Sequence, residues 1–507
     1  MFDAAVVMGP LPEGSFYALL AEHGDRIVRD EDFVECYSSG MGRPSVPPSL
    51  LARVLLLQHR TGVSDEQAME CVRWDLRWKV ALDLAVDHQG WHPTTLTKFR
   101  ARLLLHEKEG LALANTLRLA GELGMLDGTV EQIMDSTPML GAAATQDTVR
   151  LVRHAVKKLI DAVIAVDEQA GRVLVDGLEF EYHKPGEKPD CRWREKAERE
   201  RMLTRVAQDA QRALAAVEQA DGLLEDEQVT AAHHLLRELI GQDFEIDPDG
   251  IPRLHRGTAS DRIISTVDTE MRHGRKSSSQ RFDGYKLSAS ATNSSEPLIV
   301  AVHVAPGCEQ DGPQAKHLID AQPEDHRPER VLGDTAYGNG AVRAELAQRG
   351  VDVLAPVPEN PAGEGRLGKQ EFTIDFAAGT VTCPAGHTAQ ISTSKKGHRS
   401  AGFARAMCAA CPLKDRCCPT LPCRKVDLLE HEELVAAGRR SLADPATAEH
   451  LRRTRPRIER LLGLLAHRYR ARKSRYIGTA KARLQAAWAA ALVNLNPIAR
   501  RIAAQSA

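Results

Sequence analysis

Three acids in this 507-residue chain have the type and surroundings to do chemistry. Asp135 closes the apolar run in "TVEQIMDSTPM", Asp334 closes the one in "VLGDTAYGNG", and Glu459 stands within "RPRIERLLGLLAHRYRARKSRY". A carboxylate ending a buried strand is costly unless something pairs with it. A hard divalent cation is one partner suited to such oxygen donors. Two cations about 4 Å apart would activate water or a hydroxyl and stabilise the leaving oxygen of a phosphodiester. Each acid also has a plainer role open to it: Asp334 as a helix cap, Glu459 as the helical partner of Arg455 four residues earlier.

A second cluster is sulfur-rich. Of ten cysteines, Cys36, Cys71, Cys191 and Cys308 are scattered, and the other six lie between Cys383 and Cys423. "TCPAGH" and "CAACPLKDRC" supply Cys383, Cys408, Cys411 and Cys417, a candidate tetrahedral zinc set. His387, Cys418 and Cys423 are alternative ligands, and unligated thiols are the other reading. "GEGRLGKQ" fits GxxxxGK, but Gln370 stands where Ser or Thr is needed and the strand-like "EFTIDF" follows. Nucleotide binding is therefore not expected.

The elements that must position these groups follow from periodicity and punctuation. Residues 45–122 read as a helical unit, with a capping box from Ser64 to Gln67 and a helix opening near Thr94 or Thr95. Lys98, Arg100 and Arg102 are expected on its exposed face, which suits a helix-turn-helix-like DNA module or a plain bundle. A short strand is expected to end at Asp135, followed by a helix over roughly 149–164 and a charged helical hairpin over 190–240. "GYKLSASAT" and "EPLIVAVHVAPG" form a strand pair, then a helix near 313–321 precedes the Asp334 strand, the helix "GAVRAELAQRG" and the strand "VDVLAPVP". This order predicts an α/β mixed sheet. Residues 361–425 are Gly-, Pro- and Cys-rich, and 445–502 are helical and basic.

The 67 basic and 69 acidic residues nearly cancel, but Arg452 to Arg501 holds fourteen Lys or Arg against Glu459 alone. Such a block points to a polyanion partner. No signal-peptide pattern opens the sequence and no run of eighteen apolar residues occurs, so a cytoplasmic protein without a membrane span is expected.

"IMDSTPM", "VLGDTAYGNG" and "RIERLLGLLAHRYRARKSRYIGTAKARLQ" resemble the three acid motifs of bacterial insertion-sequence transposases of the DDE type. "PPSLLARVLLLQ" with "HPTTLTKFRARL" resembles the helical domain preceding the core in one group of them. "DTEMRHGRKSSSQRFDGYKLSAS" resembles the segment that group carries before its second strand. The resemblance runs from about residue 40 to residue 500. It implies a ribonuclease H-like mixed-sheet catalytic core with an all-α N-terminal domain, a helical insertion and a Cys-rich insertion.

The implied division is an N-terminal extension (1–44), the helical DNA-binding domain (45–122), the core (128–360, insertion about 181–250), the Cys-rich segment (361–425) and C-terminal helices (445–502) that complete the core. Asp135, Asp334 and Glu459 would hold two Mg²⁺ or Mn²⁺ ions. Lys98, Arg100, Arg102, Arg275, Lys276, Lys286, Arg455 and Arg468 would meet double-stranded DNA. The implied reaction is hydrolysis at terminal inverted repeats freeing a 3′-hydroxyl, then strand transfer by a homodimer or larger assembly near the nucleoid. A decayed or domesticated DNA-binding protein, and a stand-alone nuclease, are the alternatives. The related motif with Tyr, Arg, Glu and Lys is only partly met: Arg455 fits, but Arg452 and Ala466 occupy the Tyr and Lys positions. Asp268 is a rival first acid, expected instead to be structural or DNA-facing.

Overall fold

The computed structural model describes residues 3–37, 45–128, 130–277, 279–358 and 365–506. The expected boundaries at 44 and 361, and Gly363 of the GxxxxGK match, fall outside these residues. The chain opens with α1 (Ala4–Met8), α2 (Phe16–Ile27), α3 (Pro48–Thr61), α4 (Asp65–Trp74), α5 (Leu76–Ala81), α6 (Thr94–Leu105) and α7 (Leu111–Glu122). The capping box on α4 forms as expected, with Ser64 Oγ and Gln67 Oε1 each accepting from the other's backbone N–H. Helix α6 has no side-chain cap; instead His92 Nδ1 accepts from Thr94 N–H at 3.3 Å. The helical unit also begins before residue 45, because Phe16, Leu19, Leu20 and Ile27 of α2 share a core with Leu51, Leu55 and Leu56 of α3.

The sheet that follows holds β1 (Glu131–Leu140) at its centre. Helices α8 (Thr148–Val166), α9 (Glu168–Asp176), α10 (Lys196–Gln219) and α11 (Glu227–Asp243) then bury their own apolar core. A small ribbon of β2 (Phe244–Ile246) and β3 (Pro252–Leu254) leads to β4 (Arg272–Arg275), β5 (Arg281–Thr292) and β6 (Ile299–Pro306). Then come α12 (Ala315–Asp320), β7 (Arg330–Leu332), α13 (Gly340–Ala347) and β8 (Asp352–Leu354). Across the main sheet, β6, β5, β1, β7 and β8 are neighbours in that order, and β4 extends the far end of β5. Strand β5 is antiparallel to both β6 and β1, whereas β1, β7 and β8 are parallel.

The Cys-rich stretch folds as an antiparallel sheet of β9 (Thr373–Asp375), β10 (Thr380–Thr382), β11 (Thr388–Thr393), β12 (Arg399–Gly402) and β13 (Lys425–Leu428). Two short helices, α14 (Arg405–Ala409) and α15 (Lys414–Cys417), lie between its last two strands. Four further helices follow, α16 (Glu432–Ala443), α17 (Pro445–Thr454), α18 (Pro456–Gly463) and α19 (Thr479–Ser506), with one π turn at Leu464–Arg468 after α18. No helix among the described residues is long and apolar enough to cross a membrane.

Helix α19 narrows the expectation of a basic, DNA-facing C-terminus to the residues before it. From Leu484 to Leu495 it is buried between β6 and the N-terminal helices α3 and α7; its basic residues sit toward the two ends. His59 of α3 stacks on Trp488 of α19 at 6.2 Å between ring centroids. Burial, aided by Arg475 and Arg100, pushes the His59 imidazole down to about 3. The ring is thus neutral in the fold but protonates near 6.5 once unfolded. Stability is unaffected above pH 6.5 and is lost as pH falls from there toward 3. Denaturant melts should show His59 removing about 3 kcal/mol between pH 6.5 and 4.5. A His59→Leu variant should lose that much less over the same window; equal acid slopes would refute the assignment.

Candidate active site

The parallel ladder between β1 and β7 ends just before the two aspartates. Glu131 pairs with Arg330, Gln132 with Val331 and Ile133 with Leu332. Asp135 and Asp334 each stand two residues beyond the last of these pairs, and the charge of Asp334 acts on the Asp135 carboxyl. Strand β7 stops at Leu332, but β1 does not stop at Asp135 as expected; it continues to Leu140 along β5. The run past Asp135 includes Pro138, which the open edge beside the end of β7 tolerates because no N–H is needed there. A crevice therefore opens where β7 ends, at the carboxyl ends of the parallel strands. Asp135 Oδ1 accepts from Ser136 N–H at 2.8 Å, and Asp334 Oδ1 accepts from Ala336 N–H at 2.9 Å as the cap of a short 3₁₀ turn.

Helix α18 packs over β1 and β5 through Ile458, Leu461 and Leu462 and brings the third acid. Burial pushes the Asp135 carboxyl up to about 6, opposed by the Ser136 N–H and Arg455 and reinforced by the charges of Asp334 and Glu459. The three acids therefore share one electrostatic field. Glu459 is 58% exposed and lies 4.0 Å from Arg455. Among the described residues, no three His, Cys, Asp or Glu side chains already stand in metal-binding geometry. The donor set nevertheless fits a hard divalent cation, since carboxylates that repel one another are relieved by one.

Residues that sequence reasoning missed surround this crevice. Asp311, just before α12, lies 2.9 Å from the ammonium of Lys286, an ionic contact outside good hydrogen-bond geometry. Its only sequence signal was an acid ahead of a helix. Tyr337 is buried, and burial together with Asp135, Asp311 and Asp334 raises its phenol well above the usual range. Its hydroxyl has no hydrogen-bond partner among the described residues. Tyr337→Phe should therefore keep or raise the thermal midpoint, by up to about 1 kcal/mol of stability. A clear drop in a melting experiment would mean that the hydroxyl is bonded in solution.

The turn after Asp334 is held from behind. The Arg343 guanidinium, 5% exposed, donates to Gly338 O at 3.0 Å, Val353 O at 2.6 Å and Ala355 O at 2.8 Å. Gly338 must lack a side chain, since a Cβ there would come within 1.8 Å of Pro356 O.

Two models of known families match parts of the chain. Residues 7–102 match a family model described as Transposase domain (DUF772), and residues 382–499 match one described as Transposase DDE domain. Together the two matches support a DDE-type insertion-sequence transposase. The second match takes in Glu459 and the cysteines, while Asp135 and Asp334 lie outside it. No curated protein and no solved structure gives a significant match.

Within this chain, the cations expected to meet DNA divide. Lys98, Arg102, Arg275, Lys276 and Arg468 are exposed. Arg102 also lies over the Tyr37 ring at 4.4 Å. Arg100 is not on the exposed face: it is 9% exposed and its Nη1 donates to Asp65 Oδ1 at 2.9 Å, tying α6 to α4. Lys286 is committed to Asp311, with its side chain 13% exposed. Arg455 is half-buried beside Glu459. Ala466 is buried, whereas the π turn leaves its neighbours His467 and Arg468 exposed. Asp268 is structural: it is 1% exposed, and Tyr285 Oη donates to its Oδ2 at 2.6 Å. Cys383, Cys408, Cys411, Cys417, Cys418 and His387 line one cavity of about 20 Å³, which Cys423 does not reach.

Proposed function

We propose that this transposase binds the terminal inverted repeats of its element, cuts the DNA there to free a 3′-hydroxyl, and joins that end to target DNA. The observation that carries this reading is the influence of the Asp334 and Glu459 charges on the half-buried Asp135, just past the end of the β1–β7 ladder. The sheet order from β6 through β5, β1 and β7 to β8 supports a ribonuclease H-like core. The α8–α11 unit and the Cys-rich sheet are its insertions. Asp135, Asp334 and Glu459 are the residues that would hold Mg²⁺ or Mn²⁺. Bound there, such ions supply Lewis-acid stabilisation of phosphodiester oxygens and an activated nucleophile.

The chain's own contribution is placement. Strands β1 and β7 fix two acids, α18 carries the third, and Arg343 holds the turn between the site and β8. Lys98, Arg102, Arg275, Lys276 and Arg468 are exposed cations available to phosphates, so DNA affinity falls steeply with salt. Joining two element ends requires at least a dimer on DNA.

The test is a cleavage assay on DNA bearing the element's ends, with Mg²⁺ or Mn²⁺, comparing wild type with Asp334→Asn. Nicking at the ends by wild type alone supports the reading. End binding without cleavage in both proteins, with either metal, would replace it with a decayed DNA-binding protein.

A further inference from the structure

We propose that the Cys-rich sheet binds one thiophilic divalent cation, zinc by its ligand chemistry, through Cys383, Cys408, Cys411 and Cys417. These residues come from three separate pieces of chain. Cys383 follows β10 in a tight turn, where Cys383 N–H donates to His387 O and Gly386 N–H donates to Cys383 O, both at 2.8 Å. Cys408 lies in α14 and Cys411 just beyond it, with Cys411 N–H donating to Cys408 O at 3.3 Å. Cys417 ends α15. All line the same cavity, whose volume of about 20 Å³ suits a single occupant the size of one water molecule.

The domain also needs such a staple. Its buried apolar core is Phe372, Val381, Ala389, Ala401, Phe403 and Val426, with Cys383, Cys408 and Cys417 packed against it. A core this small seldom holds five short strands without a cross-link. Every cysteine is a free thiol, so no disulfide provides one. Sulfur ligands select zinc over Mg²⁺, whereas the three-carboxylate crevice selects the reverse, so the two sites would not compete for one metal. The thiols are not yet in ligand geometry, so binding would draw the knuckle at Cys383 toward α14 and α15. Lys414 Nζ, donating to Leu421 O at 2.6 Å and Pro422 O at 3.2 Å, pins the loop carrying Cys423 away from the cavity.

Elemental analysis of the full-length chain, purified under reducing conditions without chelator, should find about one zinc per chain. Cys408→Ser and Cys411→Ser should each lose most of it, while Cys308→Ser and Cys423→Ser keep it. Cobalt reconstitution of wild type should give tetrahedral thiolate absorption bands that Cys411→Ser lacks. If a ligand variant fails to fold, titrating wild type with a thiol reagent should release zinc as Cys383, Cys408, Cys411 and Cys417 are modified. Wild type that holds no zinc and develops no cobalt bands, metal content unchanged in Cys408→Ser and Cys411→Ser, or disulfides joining these residues in fresh protein would each overturn the proposal. These readouts are independent of DNA cleavage.

Discussion

Asp135→Asn should lower strand cleavage roughly a thousandfold or more, about 4 kcal/mol of barrier, while making the metal-free fold more stable at neutral pH. The two effects share a cause. Asp135 is held in a half-buried crevice facing Asp334 and Glu459, with its carboxyl pushed up to about 6 from an ordinary 3.8. Below pH 3.8 it is neutral in both folded and unfolded chains and costs nothing. As pH rises through 6, the folded state resists an ionisation that the unfolded chain makes freely. Wild type without metal should thus lose about 3 kcal/mol across that window, and the Asn variant should not. Melts in EDTA at about pH 3.8 and pH 7, beside a cleavage assay, check both halves. An Asn variant that melts below wild type at about pH 7 would show that the carboxylate is not strained by its neighbours. The site is then a place where stability has been given up for a metal-binding charge.

Arg343→Met should be the most damaging substitution outside the acids, destabilising the chain by roughly 3–5 kcal/mol. Its three acceptors, Gly338 O, Val353 O and Ala355 O, belong to buried residues, so methionine leaves three carbonyls without partners. Lysine would restore the charge but not the planar fork that reaches all three. Because Gly338 ends the turn begun by Asp334, cleavage should fall further than stability alone explains. Denaturant titration gives the first quantity, and single-turnover cleavage at a temperature where the variant is folded gives the second. A variant within about 1 kcal/mol of wild type would mean that water satisfies these carbonyls.

The three acids stood out in the sequence because each sits where local pattern and charge conflict: an Asp ending an apolar run, or a lone Glu in a basic block. The helix and strand order was legible from periodicity, and the α4 cap from Ser64 and Gln67. What stayed hidden depended on long-range pairing. Nothing local says that β5 would carry β1 on past Asp135 to Leu140. Arg100 reads as surface until Asp65, on another helix, takes its guanidinium. The Ala-rich stretch of α19 reads as part of a basic helical C-terminus, yet it is enclosed by β6 on one side and α3 and α7 on the other. Arg343 and Tyr337 carry no sequence signal at all, because their roles depend on which backbone groups fold over them.

The β1–β7 ladder, which ends two residues short of Asp135 and Asp334, decouples distance along the chain from distance in space. Helices α8 to α11 and the β2–β3 ribbon all lie between the two acids in sequence, yet they pack around their own core. Lengthening the loop from Ala220 to Asp226 would leave the acids where they are. A single residue added between Gln132 and Asp135 would shift one acid by about 3.4 Å and turn it to the other face of the sheet. Tolerance to insertion thus depends on where the insert falls rather than on its length, and the α10–α11 loop is where this chain would carry a fused reporter domain.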